Sequence, residues 1–160
     1  NQDVARRMAE KLLALAFESD DPITLYIGSP GGHVESGDTI FDLIRYIKPE
    51  VRIIGTGWVG SIATHIYLAA DKDNRFALPN TRFLIHQPSG GFGGDAADIE
   101  IHAREILKTR ERINGIIAER TGQSIDRVGE DTQRDYWMSA EESVEYGLVG
   151  KIISDISEVG

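Results

Sequence analysis

The sequence predicts an α/β fold with a largely parallel sheet, and three observations support this prediction. Short β-rich runs alternate with amphipathic helical segments through the first half of the chain. Glycine-rich stretches follow the first two β-rich runs, at the strand ends where parallel sheets place their sites. A long helical pattern occupies residues 96–121. The length of 160 residues, with 41% apolar and 27% charged residues, fits one globular domain with a full core.

The first half of the chain predicts two strand–helix units behind an opening helix. The opening helix carries its apolar residues at helical spacing, and these are Val4, Met8, Leu12, Leu15 and Ala16. The predicted elements in order are helix 3–18, strand 23–27, loop 28–32, helix 35–47, strand 51–55, glycine turn 55–60 and helix 61–70. In the second helix, the predicted buried residues are Ile40, Phe41, Ile44 and Ile47. Right-handed crossovers then bring both glycine-rich loops to one edge of the sheet.

The second half predicts short strands at 75–78 and 82–86, a glycine-rich segment, and three helices. The segment 88–95 is too rich in glycine for a strand interior, and either a flexible surface loop or a substrate-facing or subunit-pairing edge explains it. Asp95 and Gly122 are suited to cap the helix 96–121. A short helix follows Ser124, the residues 139–142 form a capping box, and 148–153 close the sheet as a strand.

The helix 96–121 is longer than one small domain needs. At 1.5 Å per residue it extends for about 40 Å. Ile99, Ile106 and Ile113 recur every seven residues, with Ala103 and Ile117 on an adjoining stripe. Such an apolar seam on a projecting helix predicts packing against another subunit.

Composition excludes several classes of function. The absence of cysteine excludes disulfides, thiolate catalysis and the common structural zinc sites, and it fits a cytoplasmic protein. A net charge of −9 argues against a general nucleic-acid binder. We find no membrane span and no signal peptide, and we predict no metal site. Because the chain starts at Asn1, a targeting segment could precede it, and an organellar location would then follow.

Ser61 is the candidate nucleophile because it stands where an apolar strand breaks into glycines and continues as a helix. The first N–H groups of a helix have no intrahelical partner, so the N–H of Ile62 is free to face an oxyanion. A serine also needs a base and a group that orients the base. His86 ends a strand before a proline, and Asp135 offers a carboxylate.

The same glycine-rich run has an alternative interpretation as a dinucleotide site. Gly55, Gly57 and Gly60 match G-x-G-x-x-G after a strand and before a helix. The fingerprint also asks for an acidic residue about twenty residues further on, where residues 75–80 contain no carboxylate. We therefore favour the serine site.

The other three histidines receive different interpretations. His102 lies among charges on the long helix and is predicted at the surface or an interface. His65, one turn beyond Ser61, is predicted to pack inside its helix. His33 follows Gly32 directly and is a candidate for a substrate pocket.

The sequence resembles the proteolytic subunit of the Clp protease, a serine peptidase family, over nearly its whole length. The matching motifs are residues 25–32 (LYIGSPGG), the serine turn, 77–80 (ALPN), 85–88 (IHQP), 98–107 (DIEIHAREIL), 131–135 (DTQRD) and 138–142 (MSAEE). The resemblance implies that Ser61 is the nucleophile, His86 the general base and acid, and Asp135 the orienting carboxylate. It also implies that Gly32 and Ile62 supply the N–H groups of an oxyanion hole.

The resemblance further implies a crotonase-like fold, a repeated ββα superhelix with the long helix as a projecting handle. The whole chain is then one domain, with a head at about 1–87 and 123–160 and a handle at about 88–122. His33, Gly90, Gly91 and Phe92 are the expected substrate-binding residues, the last three in a strand that pairs with extended peptide. The expected interface residues are Ile99, Ile106, Gln133 and Arg134.

The partners implied by the resemblance are copies of the chain in two stacked seven-membered rings and an AAA+ unfoldase of the ClpX, ClpA or ClpC type that delivers unfolded protein. No cofactor is implied. The chain departs from the family at Trp58, Val59, Gly60 and Ile62 around the nucleophile, at His65 in place of a common phenylalanine, and at Gln133 in place of an acidic residue. These departures suggest a divergent paralogue that works in a mixed ring.

Two other functions remain open at this point. A catalytically silent ring subunit would only scaffold an active partner, and turnover of a fluorogenic peptide by the homo-oligomer would decide against it. An acyl-CoA enzyme of the crotonase type would use the oxyanion hole and leave the serine, histidine and aspartate idle. Failure to bind coenzyme A thioesters would exclude that second alternative.

Overall fold

The computed structural model describes residues 1–91 and 93–159, which form six helices and six strands. The helices are α1 (Gln2–Glu18), α2 (Val34–Tyr46), α3 (Ile62–Tyr67), α4 (Ala96–Thr121), α5 (Ile125–Asp131) and α6 (Ala140–Tyr146). The strands are β1 (Ile23–Ser29), β2 (Val51–Gly60), β3 (Arg75–Ala77), β4 (Arg82–Ile85), β5 (Tyr136–Met138) and β6 (Lys151–Ile152). Two short 3₁₀ turns, Lys72–Asn74 and Ile156–Val159, complete the described elements.

Strand β2 is the centre of the sheet and pairs with three other strands. Its first half lies parallel to β1 and β3, and its last three residues lie parallel to β4. Strand β6 extends the sheet in parallel beyond β3, while β5 joins β4 in antiparallel orientation. The predicted α/β fold with a largely parallel sheet is therefore confirmed.

The predicted glycine turn at 55–60 is wrong, because β2 continues to Gly60. Val59 still pairs with Ser29 beyond a register shift, and β4 pairs with the last three residues of β2, so strand pairing resumes after Gly57. At Gly55 a Cβ atom would lie 3.0 Å from the ring of Phe83. Glycine thus serves close packing inside a strand rather than a turn.

The apolar face predicted for α1 is partly wrong. Ala5 and Leu12 are buried, whereas Val4 and Leu15 are about half exposed. By contrast, α2 buries Ile40, Phe41 and Ile44 as predicted, and only Ile47 is partly exposed. The spacing of apolar residues predicted the positions of both helices. It did not predict which face of α1 is buried.

Helix α3 is enclosed on all sides, with all six residues buried. It ends at Tyr67 rather than at the predicted residue 70, and residues 68–70 remain buried in a turn. The single hydroxyl proton of Thr64 is shared between the carbonyl oxygens of Val59 and Leu84, which lie 3.1 and 3.0 Å from Oγ1. This bifurcated hydrogen bond fixes the helix to the ends of β2 and β4.

The bounds predicted for the long helix α4 are confirmed, and Gly122 ends it in the left-handed conformation with φ of 79°. Asp95 occupies the N-cap position, but its side chain makes no capping hydrogen bond, so that part of the prediction is wrong. The predicted seam divides in two. Ile113 and Ile117 are buried against the head, whereas Ile99 is 46% exposed on the projecting turns.

The remaining differences concern the edges of the fold. No described residue between 88 and 95 belongs to a strand, so the expected strand around Gly90 and Gly91 is not formed, and Phe92 lies outside the described residues. Glycines offer no side chains to pack on a neighbouring strand. The capping box of Ser139 and Glu142 is confirmed, but the closing strand is only Lys151–Ile152.

Candidate active site

Ser61 stands between β2 and α3 in a backbone conformation that amino acids other than glycine rarely adopt. Its φ is 56° and its ψ is −127°, and among the described residues no other non-glycine has a positive φ. Its N–H donates to the carbonyl oxygen of Leu84 at 2.9 Å. Such backbone strain costs about 1–3 kcal/mol and concentrates at functional sites, including sharp strand-to-helix turns that expose a nucleophile.

Pairing between β4 and β5 brings His86 beside Asp135. In this antiparallel pair Ile85 lies opposite Tyr136, so His86, directly after β4, and Asp135, directly before β5, face each other. The backbone N–H of Gln87 donates to the carbonyl oxygen of Thr132 at 2.7 Å and continues the contact past the strand ends. The sheet itself therefore sets the distance between the imidazole and the carboxylate.

The three polar side chains form a continuous hydrogen-bonded chain. His86 Nε2 lies 2.8 Å from Ser61 Oγ, and His86 Nδ1 lies 3.1 Å from Asp135 Oδ1. A proton on Nδ1 that is donated to the carboxylate leaves Nε2 as the acceptor for the serine hydroxyl. The arrangement can remove a proton from Ser61 and hold the resulting imidazolium beside a negative charge.

The two N–H groups expected to form an oxyanion hole lie on neighbouring segments. Ile62 is the first residue of α3, and among the described residues neither its N–H nor that of Gly32 donates a hydrogen bond to a protein group. A Cβ atom on Gly31 would lie 2.7 Å from Ser61 Cβ and 3.1 Å from the nitrogen of Ile62. The glycine loop thus passes directly over the turn that carries the nucleophile.

A small cavity of about 20 Å³ opens beside the serine and the imidazole. Its walls are mostly apolar and come from α2, α3, α4 and the end of β4. The residues that line it are Val34, Ser61, Ile62, Thr64, His65, Ile85, His86, Pro88, Ile113 and Ile117. The cavity therefore lies between the head and the base of the long helix.

The buried His65 belongs to a charge cluster with the partly exposed Asp38 and Arg112, which sequence reasoning did not find. Its side chain is 1% exposed, stacks on Phe41 with ring centroids 4.4 Å apart, and places Nε2 3.1 Å from Asp38 Oδ1. Arg112 of α4 donates two hydrogen bonds to Asp38, at 2.8 and 2.7 Å. Burial lowers the pKa of His65, Asp38 opposes this shift, and Arg112 adds to it. The predicted packing of His65 inside its helix is confirmed.

The expected substrate-binding residues lie in different places relative to Ser61. His33 is the N-cap of α2, where its Nδ1 accepts from the N–H of Ser36 at 3.3 Å and its Nε2 lies 3.2 Å from Glu35. It lines a larger cavity of about 210 Å³ together with Gly31 and Gly32. Gly90 and Gly91 are exposed.

The interface residues expected outside the helix seam, Gln133 and Arg134, are exposed immediately before Asp135. The carbonyl oxygen of Gln133 accepts from the side chain of Gln87 at 3.0 Å. Because these two residues share a segment with Asp135, contacts made here by another subunit would act directly next to the triad.

Trp58, one of the unusual residues before the nucleophile, forms an aromatic cluster on the head surface. Its ring lies 5.4 Å from that of Trp137, and the Arg82 guanidinium lies 4.3 Å from the Trp137 ring centroid. The cluster crosses β2, β4 and β5, so it reinforces the pairing that positions His86 and Asp135.

Neither a metal site nor a membrane span is found in the part of the chain that the structure describes. Residues 1–91 and 93–159 contain no group of three or more histidine, cysteine, aspartate or glutamate residues that could hold a metal ion. No helix within these residues is long and apolar enough to cross a membrane.

Comparison with known proteins identifies relatives that match nearly the whole of this chain. Residues 1–155 match the Clp protease family. The chain is 56% identical to the ATP-dependent Clp protease proteolytic subunit 3 of Rhizobium meliloti over 158 residues, which cover 99% of this chain and 81% of the relative. It is 54% identical to proteolytic subunit 2 of Pseudomonas aeruginosa over 159 residues, which cover 99% and 79%.

Solved structures show the same similarity. ClpP1 from Listeria monocytogenes superposes with a TM-score of 0.91 at 50% identity, covering 100% of this chain and 89% of that one. A point mutant of the same protein gives a TM-score of 0.94 at 52% identity, with coverage of 100% and 90%.

Proposed function

The chain belongs to the Clp protease family, and from this premise we propose that Ser61, His86 and Asp135 carry out its peptide hydrolysis. The chain is a Clp protease proteolytic subunit and a serine peptidase. One observation carries the assignment of residues, namely the hydrogen-bonded chain from Ser61 Oγ through His86 to Asp135.

In the first half of the reaction His86 Nε2 takes the proton of Ser61 as Oγ attacks the carbonyl carbon of the scissile peptide bond. The carbonyl oxygen becomes an oxyanion and accepts hydrogen bonds from the N–H groups of Gly32 and Ile62. Asp135 stabilises the imidazolium through Nδ1. The imidazolium then gives its proton to the departing amine, and an acyl-serine ester remains.

In the second half a water molecule replaces the departed amine. His86 takes a proton from this water, whose oxygen attacks the ester, and the same proton then returns to Ser61 Oγ. The peptide leaves with a free carboxylate. Losing one of the two oxyanion donors is expected to cost about 2.7–4 kcal/mol of transition-state stabilisation, as it does in other serine peptidases.

Proteolytic subunits of this family work in an oligomeric chamber that is partnered with Clp ATPases. For this chain we propose two stacked heptameric rings, a tetradecamer, with Ile99, Ile106, Gln133 and Arg134 at the contacts between subunits. The exposed apolar residues on the projecting turns of α4 support this assembly. A cytoplasmic location, an AAA+ unfoldase of the ClpX, ClpA or ClpC type and a ring shared with a paralogous subunit belong to the same proposal. His33, Gly90, Gly91 and Phe92 remain its expected contacts with substrate.

The test is covalent labelling of the assembled protein with a fluorophosphonate. The label should attach to Ser61, and Ser61→Ala should abolish both labelling and hydrolysis of a fluorogenic peptide. His86→Ala should keep the assembly but slow labelling by at least a hundredfold. Ser89→Ala, at an exposed serine nearby, is the matched control and should label normally.

Two outcomes would contradict the proposal. A label on another serine in an active ring would give the nucleophile a different position. An assembled homo-oligomer that neither labels nor hydrolyses peptide would favour the silent ring subunit instead.

A further inference from the structure

One buried side chain, that of Thr64, spans the turn that carries Ser61. Thr64 belongs to α3, and its Oγ1 lies 3.1 Å from the carbonyl oxygen of Val59 in β2 and 3.0 Å from that of Leu84 in β4. Its backbone N–H donates to the carbonyl oxygen of Ser61 at 3.0 Å. Thr64 therefore bonds to the strand before the nucleophile, to the nucleophile itself and to the strand beside it.

The carbonyl group of Leu84 links the nucleophile to the base. Its oxygen accepts from the N–H of Ser61 at 2.9 Å, as well as from the Thr64 hydroxyl. Leu84 pairs with Gly60 between β4 and β2, and the chain reaches His86 two residues further on. The distance of 2.8 Å between Ser61 Oγ and His86 Nε2 therefore depends on how the turn is held against this carbonyl group.

The conformation of Ser61 needs such support. Its φ of 56° is costly for an amino acid with a side chain, and a residue keeps a costly conformation only where the groups around it fix it in place. Thr64 is 1% exposed, so its hydroxyl has almost no contact with solvent and is directed at the two carbonyl groups. Loss of this hydroxyl would free the turn to relax toward an ordinary conformation.

We propose that Thr64 is a positioning residue for peptide hydrolysis. Its hydroxyl holds Ser61 Oγ within hydrogen-bonding distance of His86 Nε2 and keeps the first N–H of α3, that of Ile62, beside the nucleophile. It acts through these groups and not on the peptide. This inference rests on the proposed function of Ser61.

Thr64→Val tests the role of the hydroxyl, because valine has the shape of threonine without the hydroxyl. In the assembled full chain we expect kcat for a fluorogenic peptide to fall about ten- to a hundredfold, since displaced reacting groups slow the chemical step. KM should stay within about twofold, because the binding surface keeps its shape. Fluorophosphonate labelling of Ser61 should slow by a similar factor to kcat, since it needs the same attack by Oγ.

Thr64→Ser is the rescue variant, because it keeps the hydroxyl and removes only the methyl group. It should recover most of kcat. Thr64→Ala lacks the hydroxyl and differs from Thr64→Ser by that group alone, so these two variants form a second matched pair without the branched side chain. We expect kcat of the serine variant to exceed that of the alanine variant by at least about tenfold.

Thr81→Val is the control for the loss of a buried hydrogen bond as such. Thr81 is also 1% exposed, and its hydroxyl donates to the carbonyl oxygen of Gly55 in β2 at 2.9 Å, away from the turn. Thr81→Val should lower the free energy of unfolding much as Thr64→Val does. It should leave kcat within about twofold of the unmodified protein.

The outcomes separate this inference from the function on which it rests. Ser61-dependent hydrolysis at an unchanged kcat in Thr64→Val, equal kcat in the serine and alanine variants, or an equal loss in Thr81→Val overturns the role of Thr64 alone. If neither hydroxyl-free variant assembles whereas Thr81→Val does, the hydroxyl serves folding and the inference is likewise overturned. Hydrolysis that persists in Ser61→Ala overturns the proposed function and this inference together.

Discussion

At the scale of single residues, Asp135 is the least enclosed member of the triad. Its side chain is 63% exposed, compared with 26% for His86. Solvent screens an exposed carboxylate, so its effect on catalysis depends on orienting the imidazole more than on its charge. The substitution that tests this role should therefore change hydrogen bonding and leave size unchanged.

Asp135→Asn is expected to lower kcat by about 10²–10⁴-fold, because the amide can hold the imidazole in the wrong tautomer. The measurement is peptide hydrolysis by the assembled protein, with Glu130→Gln as the matched loss of an exposed charge nearby. A loss of less than tenfold in Asp135→Asn would contradict the orienting role.

Gly31 is the second residue with a sharp prediction. Its φ is 101°, and a Cβ atom there would lie 2.7 Å from Ser61 Cβ and 2.8 Å from the carbonyl oxygen of Gly60. Gly31→Ala should therefore displace the loop and reduce kcat/KM by at least a hundredfold. Gly115→Ala is the control, since no atom lies within 4 Å of a Cβ at that helical position. Full activity in Gly31→Ala would show that the loop does not determine the site geometry.

His65 also predicts a pH dependence of stability. Burial, opposed by Asp38 and reinforced by Arg112, lowers its pKa below the ordinary 6.5. Below about pH 6.5 the unfolded chain gains a proton that the folded chain resists, so the free energy of unfolding falls as the pH is lowered. The contribution has a slope of at most about 1.4 kcal/mol per pH unit. The stability that His65 contributes as a neutral side chain is fully present above pH 6.5 and is lost as the pH falls below it.

Denaturant unfolding at several pH values and at one protomer concentration measures this slope. His65→Phe should have a shallower slope between pH 6.5 and pH 5 than the unmodified chain, whereas His102→Phe should not. An unchanged slope in His65→Phe would mean that the folded protein protonates this histidine without cost.

The single residues of the site divide into those that sequence could identify and those that it could not. Ser61, His86 and Asp135 stand at recognisable positions, namely a strand-to-helix turn and the ends of strands, and the structure brings their side chains together. The cluster of His65, Asp38 and Arg112 joins three helices. Its partners are far apart in sequence, and no local pattern pairs one charge with another across a tertiary contact.

At the scale of elements, the ends of the helices were more predictable than their faces. Ser139 and Glu142 cap α6 reciprocally, with hydrogen bonds of 3.1 and 2.7 Å, as their spacing indicates. The buried stripe of α1 depends on what packs against it, and periodicity alone placed Val4 and Leu15 inside. Strand β2 extends beyond Gly55 and Gly57 because β4 and Ser29 of β1 pair with its last residues, and this information lies outside the segment itself.

The cap of α6 gives the prediction at this scale. Ser139→Ala removes the acceptor for the N–H of Glu142 and should lower the free energy of unfolding by about 0.5–2 kcal/mol. Ser89→Ala, outside any described helix or strand, is the control and should change stability by less than about 0.5 kcal/mol. Equal stability of Ser139→Ala and the unmodified chain would mean that tertiary packing alone holds the helix.

At the scale of the whole molecule, the long helix divides the chain into two parts with different roles. Its last turns bury Ile113 and Ile117 in the head, whereas Ile99, Ile101 and Leu107 are about half exposed on the projecting turns. Exposed apolar residues on a projecting helix are the expected signature of subunit contacts. The sequence predicted both ends of the helix correctly, but the whole apolar seam was assigned to contacts with another subunit.

The double variant Ile99→Asp and Ile106→Asp should weaken the association of subunits, because buried charges at an apolar contact are costly. Sedimentation velocity should show a shift from the large assembly to smaller species. Ile156→Asp makes the same change at an isoleucine that is 78% exposed away from α4, and it should leave the assembly intact. An unchanged assembly in the double variant would exclude these turns from the interface.

The threefold pairing of β2 has a consequence for how the molecule tolerates distortion. This one strand is bonded to β1, which leads into the glycine loop, and to β4, which leads into His86, and it carries Ser61 at its own end. A movement of β2 as a body therefore shifts nucleophile, base and glycine loop in concert and preserves their mutual spacing. Asp135 is attached through the short antiparallel contact between β4 and β5 and through two hydrogen bonds from Gln87 to the carbonyl oxygens of Thr132 and Gln133. Loosening of these contacts together would disconnect the carboxylate and leave the other parts aligned.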